Sequence, residues 1–344
     1  MADALYRKYR PQTFKDVVGQ DHITSVLAGS IEKGSVGHAY LFTGSRGLGK
    51  TSIARIFARE IGCSETDTYE IDAASHTGVD HMRELADNVH TQPFESPYKV
   101  YIIDEVHMLS KSAFNAFLKT LEEPPSYVVF ILATTEAEKL PDTVVSRCQN
   151  FAFKKPSRKV LAEVVATVAK KEDTTLEAPA AELIALLADG SFRDALSILQ
   201  KILSSTDAKT ITSTDVEKVT GAPRKTLVSQ YVSGIATQDP NISIAALREA
   251  EEKGIDMHVF LTLILEYVRS ILLLRYSKEI RPELEEQYGS EEVEKMDSFA
   301  KEKTLHSQTL VALLQAHREM KLAPIPALPL ELAVIDLIGQ DSTQ

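Results

Sequence analysis

The stretch GSRGLGKTS, Gly44 to Ser52, decides how this chain is read. It fits the pattern G-x-x-x-x-G-K-[ST] with Gly44, Gly49, Lys50 and Thr51. Glycines at these positions let successive backbone N–H groups turn inward around phosphate oxygens. The lysine adds a point charge for the β- and γ-phosphates, and the threonine hydroxyl can ligate Mg²⁺. The pattern has this meaning only between a strand and a helix, because the anion then rests on the helix N-terminus. Here the apolar run AYLFTG (39–44) precedes it and the amphipathic KTSIARIFAREIG comes after it. A nucleotide-binding turn is therefore expected, rather than a glycine turn without a ligand.

Working outward, short apolar runs recur: TYEIDA (68–73), KVYIIDE (99–105), YVVFILATT (127–135) and QNFAFK (149–154). The helical patterns VDHMRELADNVH and SKSAFNAFLKTLEEP lie between them. Such alternation over 38–155 predicts a parallel sheet covered on both faces, within a domain of residues 1–155. From Pro156 the strands are expected to stop. Ser157 serves as an N-cap, Ser191 with Asp194 comes close to a capping box, and Thr214 with Glu217 has the S/T-x-x-E form, ending at Gly221. These predict a small helical domain over 156–222. GAPR (221–224) reads as a linker, and amphipathic or wholly apolar helices fill 223–344. No internal repeat or low-complexity tract is apparent.

The run YKVYIIDEVHML (98–109) places Asp104 at the C-terminal end of a buried strand, where ligands bind in open α/β sheets. Asp104 can hold a Mg²⁺ shell there, and Glu105 can polarise an attacking water. His107, flanked by apolar residues, reads as a packed and hydrogen-bonded side chain. The spelling D-E-V-H also occurs in helicases, so the residues beyond the box must separate the two. The next strand ends FILATTEAEKLPDTVVSRCQNF, where Thr134 or Thr135 is placed to orient the lytic water. Arg147 precedes the last strand, and its residue type there fits a surface role as well as a functional one.

Composition narrows the rest. Lys and Arg total 38 against 49 Asp and Glu, a net charge of −11, so bulk charge does not advertise nucleic-acid binding. Contact with DNA would have to come from a local surface or from helix N-termini. Two cysteines, Cys63 and Cys148, are too few for a disulfide framework or a four-cysteine zinc site. MADALYRKYRP carries no apolar segment of a signal peptide, and VFLTLILEYVRSILLLRY is interrupted by Glu266 and Arg269. A cytoplasmic protein without a membrane span is expected.

LYRKYRPQTFKDVVGQDHI, GSRGLGKTSIARIFA, EIDAASHTGVD, IIDEVHMLSKSAFNAFLKTLEEPP, FILATT, LPDTVVSRC and DGSFRDALS succeed one another in order. Together they resemble the gamma/tau family of bacterial DNA polymerase III, the ATPases of the sliding-clamp loader. The likeness is dense over residues 5–200 and thinner beyond. It implies an AAA+ P-loop NTPase module with a five-stranded parallel sheet, a helical lid, and a helical collar through which five subunits form a ring.

The resemblance also carries roles to individual residues. The phosphate loop runs from Gly44 through Arg46, Gly47, Leu48 and Gly49 to Lys50, Thr51 and Ser52. Thr51 and Asp104 would hold Mg²⁺ through ATP, and Glu105 would activate water. Thr135 resembles the polar sensor beside the γ-phosphate. Arg147 resembles the arginine finger that reaches a neighbouring subunit's ATP, and Arg193 the lid arginine that contacts its own. Tyr9, Arg10 and Val18 would line the adenine pocket, although a hydrophobic staple explains Val18 equally well. The residues after the Asp-Glu box are those of a ring switch, not of a helicase.

Two departures from the family stand out. A four-cysteine zinc module is reduced to GCSETDT, so no zinc is expected and Cys63 reads as a small buried residue. The segment ASHTGVD carries His76 and Gly78 where basic residues often contact DNA. Ser75, Thr77, Ser110 and Lys119 remain for backbone contact.

The expected function is an ATP-dependent subunit that opens the sliding clamp and loads it onto primer–template DNA within a hetero-pentameric ring. Val89 and Phe94 are candidate apolar anchors for the clamp, or ordinary core and loop residues. The rival readings are an AAA+ branch-migration motor and an ATPase-silent scaffold subunit.

Overall fold

A computed structural model describes residues 3–339 except 76–84, 86 and 207. The chain divides into two compact units, Met1–Leu161 with Ala188–Ser197, and Ala162–Leu187 with Ile198–Gln344. The expected lid, 156–222, is thus shared between them.

The first unit holds a five-stranded sheet: β1 (Ala39–Thr43), β2 (Thr68–Asp72), β3 (Lys99–Asp104), β4 (Val128–Thr134) and β5 (Gln149–Ala152). Its order is β2-β3-β4-β1-β5 and every pair is parallel. The expected strands are all present, each ending one or two residues earlier than its apolar run. Every residue of β4 is buried, as the near-continuous apolar run of an interior parallel strand requires.

Alternation along β1 splits the core into two layers. Tyr40 and Phe42 face the helix Lys50–Glu60, with Tyr40 edge-on to Phe57 at 4.8 Å. Ala39 and Leu41 face the opposite layer, where Phe117 of the helix Lys111–Glu122 stands perpendicular to Phe130 of β4 at 5.0 Å. Parallel register pairs Thr43 with Thr134 and Ile103 with Leu132. The loops after β1, β3 and β4 therefore leave the same edge of the sheet.

The second unit is mainly helical, but its strands do not stop at Pro156 as expected. Thr175–Leu176 and Thr210–Ile211 form a short parallel ladder, too brief to show an alternation pattern. The capping box that opens the helix Ser213–Thr220 is Thr212 with Asp215, two residues earlier than Thr214 with Glu217. Aspartate here takes the place of the glutamate the pattern favours. Gly221 closes that helix in the left-handed conformation, at φ 70°. The helix Met257–Tyr276 is long and apolar enough to cross a membrane by length and composition. Its Phe260, Leu261, Ile264, Val268 and Ile271 nevertheless lie in the unit's own core, together with Tyr231 and Leu247.

Candidate nucleotide site

The loop between β1 and the helix Lys50–Glu60 has three glycines at positive φ: Gly44 at 139°, Gly47 at 79° and Gly49 at 94°. A side chain on Gly47 would bring its Cβ within 2.0 Å of the Ser191 Oγ, and Phe192 N–H donates to the Gly47 carbonyl at 3.1 Å. One side of the loop is therefore fixed by the 188–197 segment. Leu48 is buried in the core beside Phe42 and Phe153, so it offers a ligand only its backbone. Arg46 is exposed, and Ser52 half-buried.

Lys50 is 6% exposed, and its Nζ donates to the carbonyls of Gly44 at 2.6 Å and Ser45 at 3.0 Å. Burial pushes its ammonium below the usual lysine range, opposed by the carboxylates of Glu105 and Asp104. The Thr51 hydroxyl donates to Asp104 Oδ2 at 2.8 Å, and the Glu105 N–H donates to Asp104 Oδ1 at 3.0 Å. Thr51 and Asp104, hydroxyl beside carboxylate, form the oxygen donor set that suits a Mg²⁺ held between protein and phosphate.

Glu105 sits in the left-handed region at φ 48°, unfavourable for a residue with a side chain, and such strain collects at working sites. Its Oε2 accepts both the N–H and the hydroxyl of Thr135, at 3.2 and 3.0 Å. Of the two threonines left open by the sequence, Thr135 thus meets the candidate base. The buried Thr134 instead meets His107 at 2.9 Å. His107 is packed and hydrogen-bonded as read. Its second contact, Glu136 at 3.3 Å, had no signal in the sequence.

The remaining expected residues are placed less centrally. Arg193 stacks over the Tyr6 ring at 4.9 Å. Arg10 is half-buried, and burial together with Arg55 and Arg193 lowers its pKa against the pull of Glu70. Arg55 is tied to Glu70 by a bidentate pair at 2.7 and 2.8 Å. Tyr9 is half-buried and Val18 44% exposed. The Arg147 guanidinium is bonded to other partners: it donates to the Thr143 carbonyl at 2.7 Å and to Glu122 at 2.5 Å.

Among the residues proposed for DNA, the Ser75 hydroxyl donates to Asp72 at 3.0 Å, and Ser110 caps the helix Lys111–Glu122 through Ala113 N–H. Lys119 is exposed on that helix, and Thr77 lies outside the described residues. Val89 is fully buried in the core and is not available as a clamp anchor. Phe94 is 85% exposed; the N–H groups of Phe94, Glu95 and Ser96 all donate to Asp67 and hold its loop. Cys63 is buried against Thr68 and Tyr98, and no group of His, Cys, Asp or Glu suited to a metal occurs among the described residues.

Parallel strands, a glycine loop on a helix N-terminus after β1 and an Asp-Glu pair at the end of β3, with β4 between the two strands, define a P-loop NTPase of the AAA+ class. The profile described as DNA polymerase III, delta subunit, matches residues 19–77 and 69–157. The clamp-loader ATPase lid profile matches 161–207, and that of gamma and tau domain III matches 211–343. The tau subunit of Bacillus subtilis DNA polymerase III is 37% identical over 97% of this chain and 63% of its own length. The Escherichia coli tau subunit is 39% identical over 79% of this chain and 46% of its own. The chain thus spans less than two thirds of these relatives. A Thermotoga maritima RuvB Holliday junction branch migration motor is similar in fold, with a TM-score of 0.53, 21% identity, and coverage of 66% of this chain and 79% of that one. The chain belongs to the gamma/tau family of DNA polymerase III clamp-loader subunits.

Proposed function

We propose that this protein binds and hydrolyses ATP as one subunit of a ring that opens a sliding clamp and loads it onto primer–template DNA. The observation that carries the reading is the joining of three strand ends into one constellation. Thr51 is bonded to Asp104 at 2.8 Å, and the adjacent Glu105 to Thr135 at 3.0 Å. In this reading the N–H groups of the glycine loop and Lys50 bind the phosphates. Thr51 and Asp104 would hold Mg²⁺, which would supply positive charge against the phosphates. Glu105 takes a proton from the attacking water, with Thr135 fixing its carboxylate. Tyr9, Arg10 and Val18 flank the adenine, and Arg193 reaches the phosphates of the same subunit.

Arg147 completes a neighbouring subunit's site, which makes hydrolysis report on ring geometry. ATP binding favours the clamp-open ring because a ligand shifts an equilibrium only by binding one state better. Phe94 is the apolar anchor toward the clamp, and Ser75, Thr77, Ser110 and Lys119 contact the DNA backbone. The partition into a module of 1–155, a lid of 156–222 and a collar of 223–344 belongs to the same proposal, as does a cytoplasmic location.

The test is ATP turnover by the chain alone, then with companion subunits, clamp and primed DNA. Stimulation by the full set is expected, together with loss of turnover and retained nucleotide binding in Glu105→Gln. Nucleotide binding without turnover in every combination would instead identify an ATPase-silent scaffold. Unwinding of duplex DNA without a clamp would identify a branch-migration motor.

A further inference from the structure

The ring of His107 stands between two carboxylates at the end of the sheet. Its Nδ1 edge lies 2.9 Å from Thr134 Oγ1 and 3.4 Å from Glu105 Oε2. Its Nε2 edge lies 3.3 Å from Glu136 Oε1. The side chain is 6% exposed, so the ring is clamped rather than free in solvent. Thr134 is fully buried and also accepts the Glu136 N–H at 3.0 Å, so threonine, histidine and Glu136 close a small circuit. On its far side Glu136 is held by Lys139 at 2.6 Å.

Glu105 has the opposite character. It is 30% exposed on a long side chain; its hydrogen-bond partner is Thr135, through both N–H and hydroxyl, and the imidazole edge stands 3.4 Å from the same oxygen. A general base works only when its oxygen lies within hydrogen-bond reach of the proton it removes. Displacing a reacting group by about 1 Å can cost roughly 100-fold in rate.

We propose that His107 is a positioning residue for ATP hydrolysis: its Nδ1 edge sets where the Glu105 carboxylate stands, and its Nε2 edge anchors the ring to Glu136. The inference rests on the ATPase reading given above. It also joins the base to the first residue of the 136–147 segment, whose far end carries Arg147. The chemistry of the step is unchanged, since His107 neither gives nor takes the proton.

The two edges can be separated by substitution. Asparagine places a polar atom near the Nδ1 position and nothing near Nε2, whereas glutamine reaches the Nε2 position and leaves Nδ1 without a counterpart. In the assembled complex with clamp and primed DNA, His107→Asn is expected to keep kcat within about threefold of the unaltered protein. His107→Gln is expected to lose about tenfold, with KM for ATP within about twofold in both. A packing role would favour the larger glutamine, so equal losses or the reverse order overturn the proposal. So does a loss that tracks the fall in thermal midpoint.

Should either variant fail to fold, Glu136→Gln on an exposed side chain gives a separate reading. It is expected to lower kcat about two- to threefold at unchanged KM, and no change would overturn the anchor. Glu105→Gln serves as the control. If it hydrolyses like the unaltered protein, the ATPase reading itself fails and this inference falls with it. If only the His107 and Glu136 variants are silent, the inference alone fails.

Discussion

Lys50 and Arg147 are two of the cations the proposed chemistry calls on, one from either side of a phosphate, and the fold holds them in opposite ways. Lys50 is almost wholly enclosed and bonded to two carbonyls of its own loop. The Arg147 side chain is 34% exposed, and its ion partner is Glu122, 45% exposed on a neighbouring helix. A buried cation is expensive to leave unpaired, so Lys50 is fixed in place. An exposed ion pair contributes only about 0–1 kcal/mol, so Arg147 can exchange partners at little cost. The difference teaches that a buried cation is committed to its own loop, whereas an arginine in a surface pair keeps the freedom to change partners.

The contrast breaks most decisively at Arg147. Arg147→Ala is expected to lower turnover of the assembled ring by about 10³–10⁵, the range for arginine fingers. Nucleotide affinity of the isolated chain should stay unchanged, as titration with a fluorescent nucleotide would reveal. A matching loss of affinity in the lone chain would mean that Arg147 serves its own site and that the two halves are not separate.

On the enclosed side the corresponding probe is Gly47→Ala. The glycine is at φ 79°, and an added Cβ would stand 2.0 Å from the Ser191 Oγ. The loop and the 188–197 segment cannot both keep their places. Nucleotide affinity is expected to fall by more than about tenfold, with stability lower by about 1–3 kcal/mol. Calorimetric titration and a urea midpoint would read the two effects, and a tolerated alanine would show that the loop is less fixed than its contacts imply.

The enclosed half was legible because its signals are local. Gly44 to Thr51 are contiguous, and Asp104 announces itself by ending an apolar run that only an interior strand needs. The other half depends on contacts between distant positions. Glu122 lies 25 residues from Arg147, and nothing in LEEPP marks it as a partner. The circuit of His107, Thr134 and Glu136 spans two strand ends, so spacing along the chain conveys only that His107 is flanked by apolar neighbours. Val89 could be read as an anchor or as core, and only packing against the sheet decides for core. The capping box shifted from Thr214 to Thr212 because aspartate can close the bond as well as glutamate. Two-residue strands at 175–176 and 210–211 are shorter than any periodicity can reveal.

Two carboxylates repeat the contrast at smaller scale. Asp67 is 1% exposed and accepts three backbone N–H groups, at 2.6, 3.0 and 2.9 Å. Burial alone would raise its pKa, but those bonds outweigh it and hold the group at about 2. A folded-state value below the unfolded one, about 3.9, means the stabilisation is present above that pH. It is lost as pH falls from about 4 toward 2. Asp67→Asn is therefore expected to destabilise by about 2 kcal/mol at pH 7 and by less at pH 3, as urea midpoints at both values would measure. An equal loss at both would mean the charge contributes nothing and only shape matters.

Glu122 is the exposed counterpart, and its effect should be the smallest. Glu122→Ala removes the ion partner of Arg147 but leaves the bond from the guanidinium to the Thr143 carbonyl at 2.7 Å. Stability is expected to change by less than about 1 kcal/mol. Arginine freed from a surface pair has one fewer contact to give up before reaching a neighbour's phosphate. Turnover of the ring should thus be unchanged or rise by up to about threefold, while the isolated chain shows no difference. A tenfold fall instead would mean that Glu122 aims the guanidinium, and that Arg147 is held in readiness by its own subunit as firmly as Lys50 is.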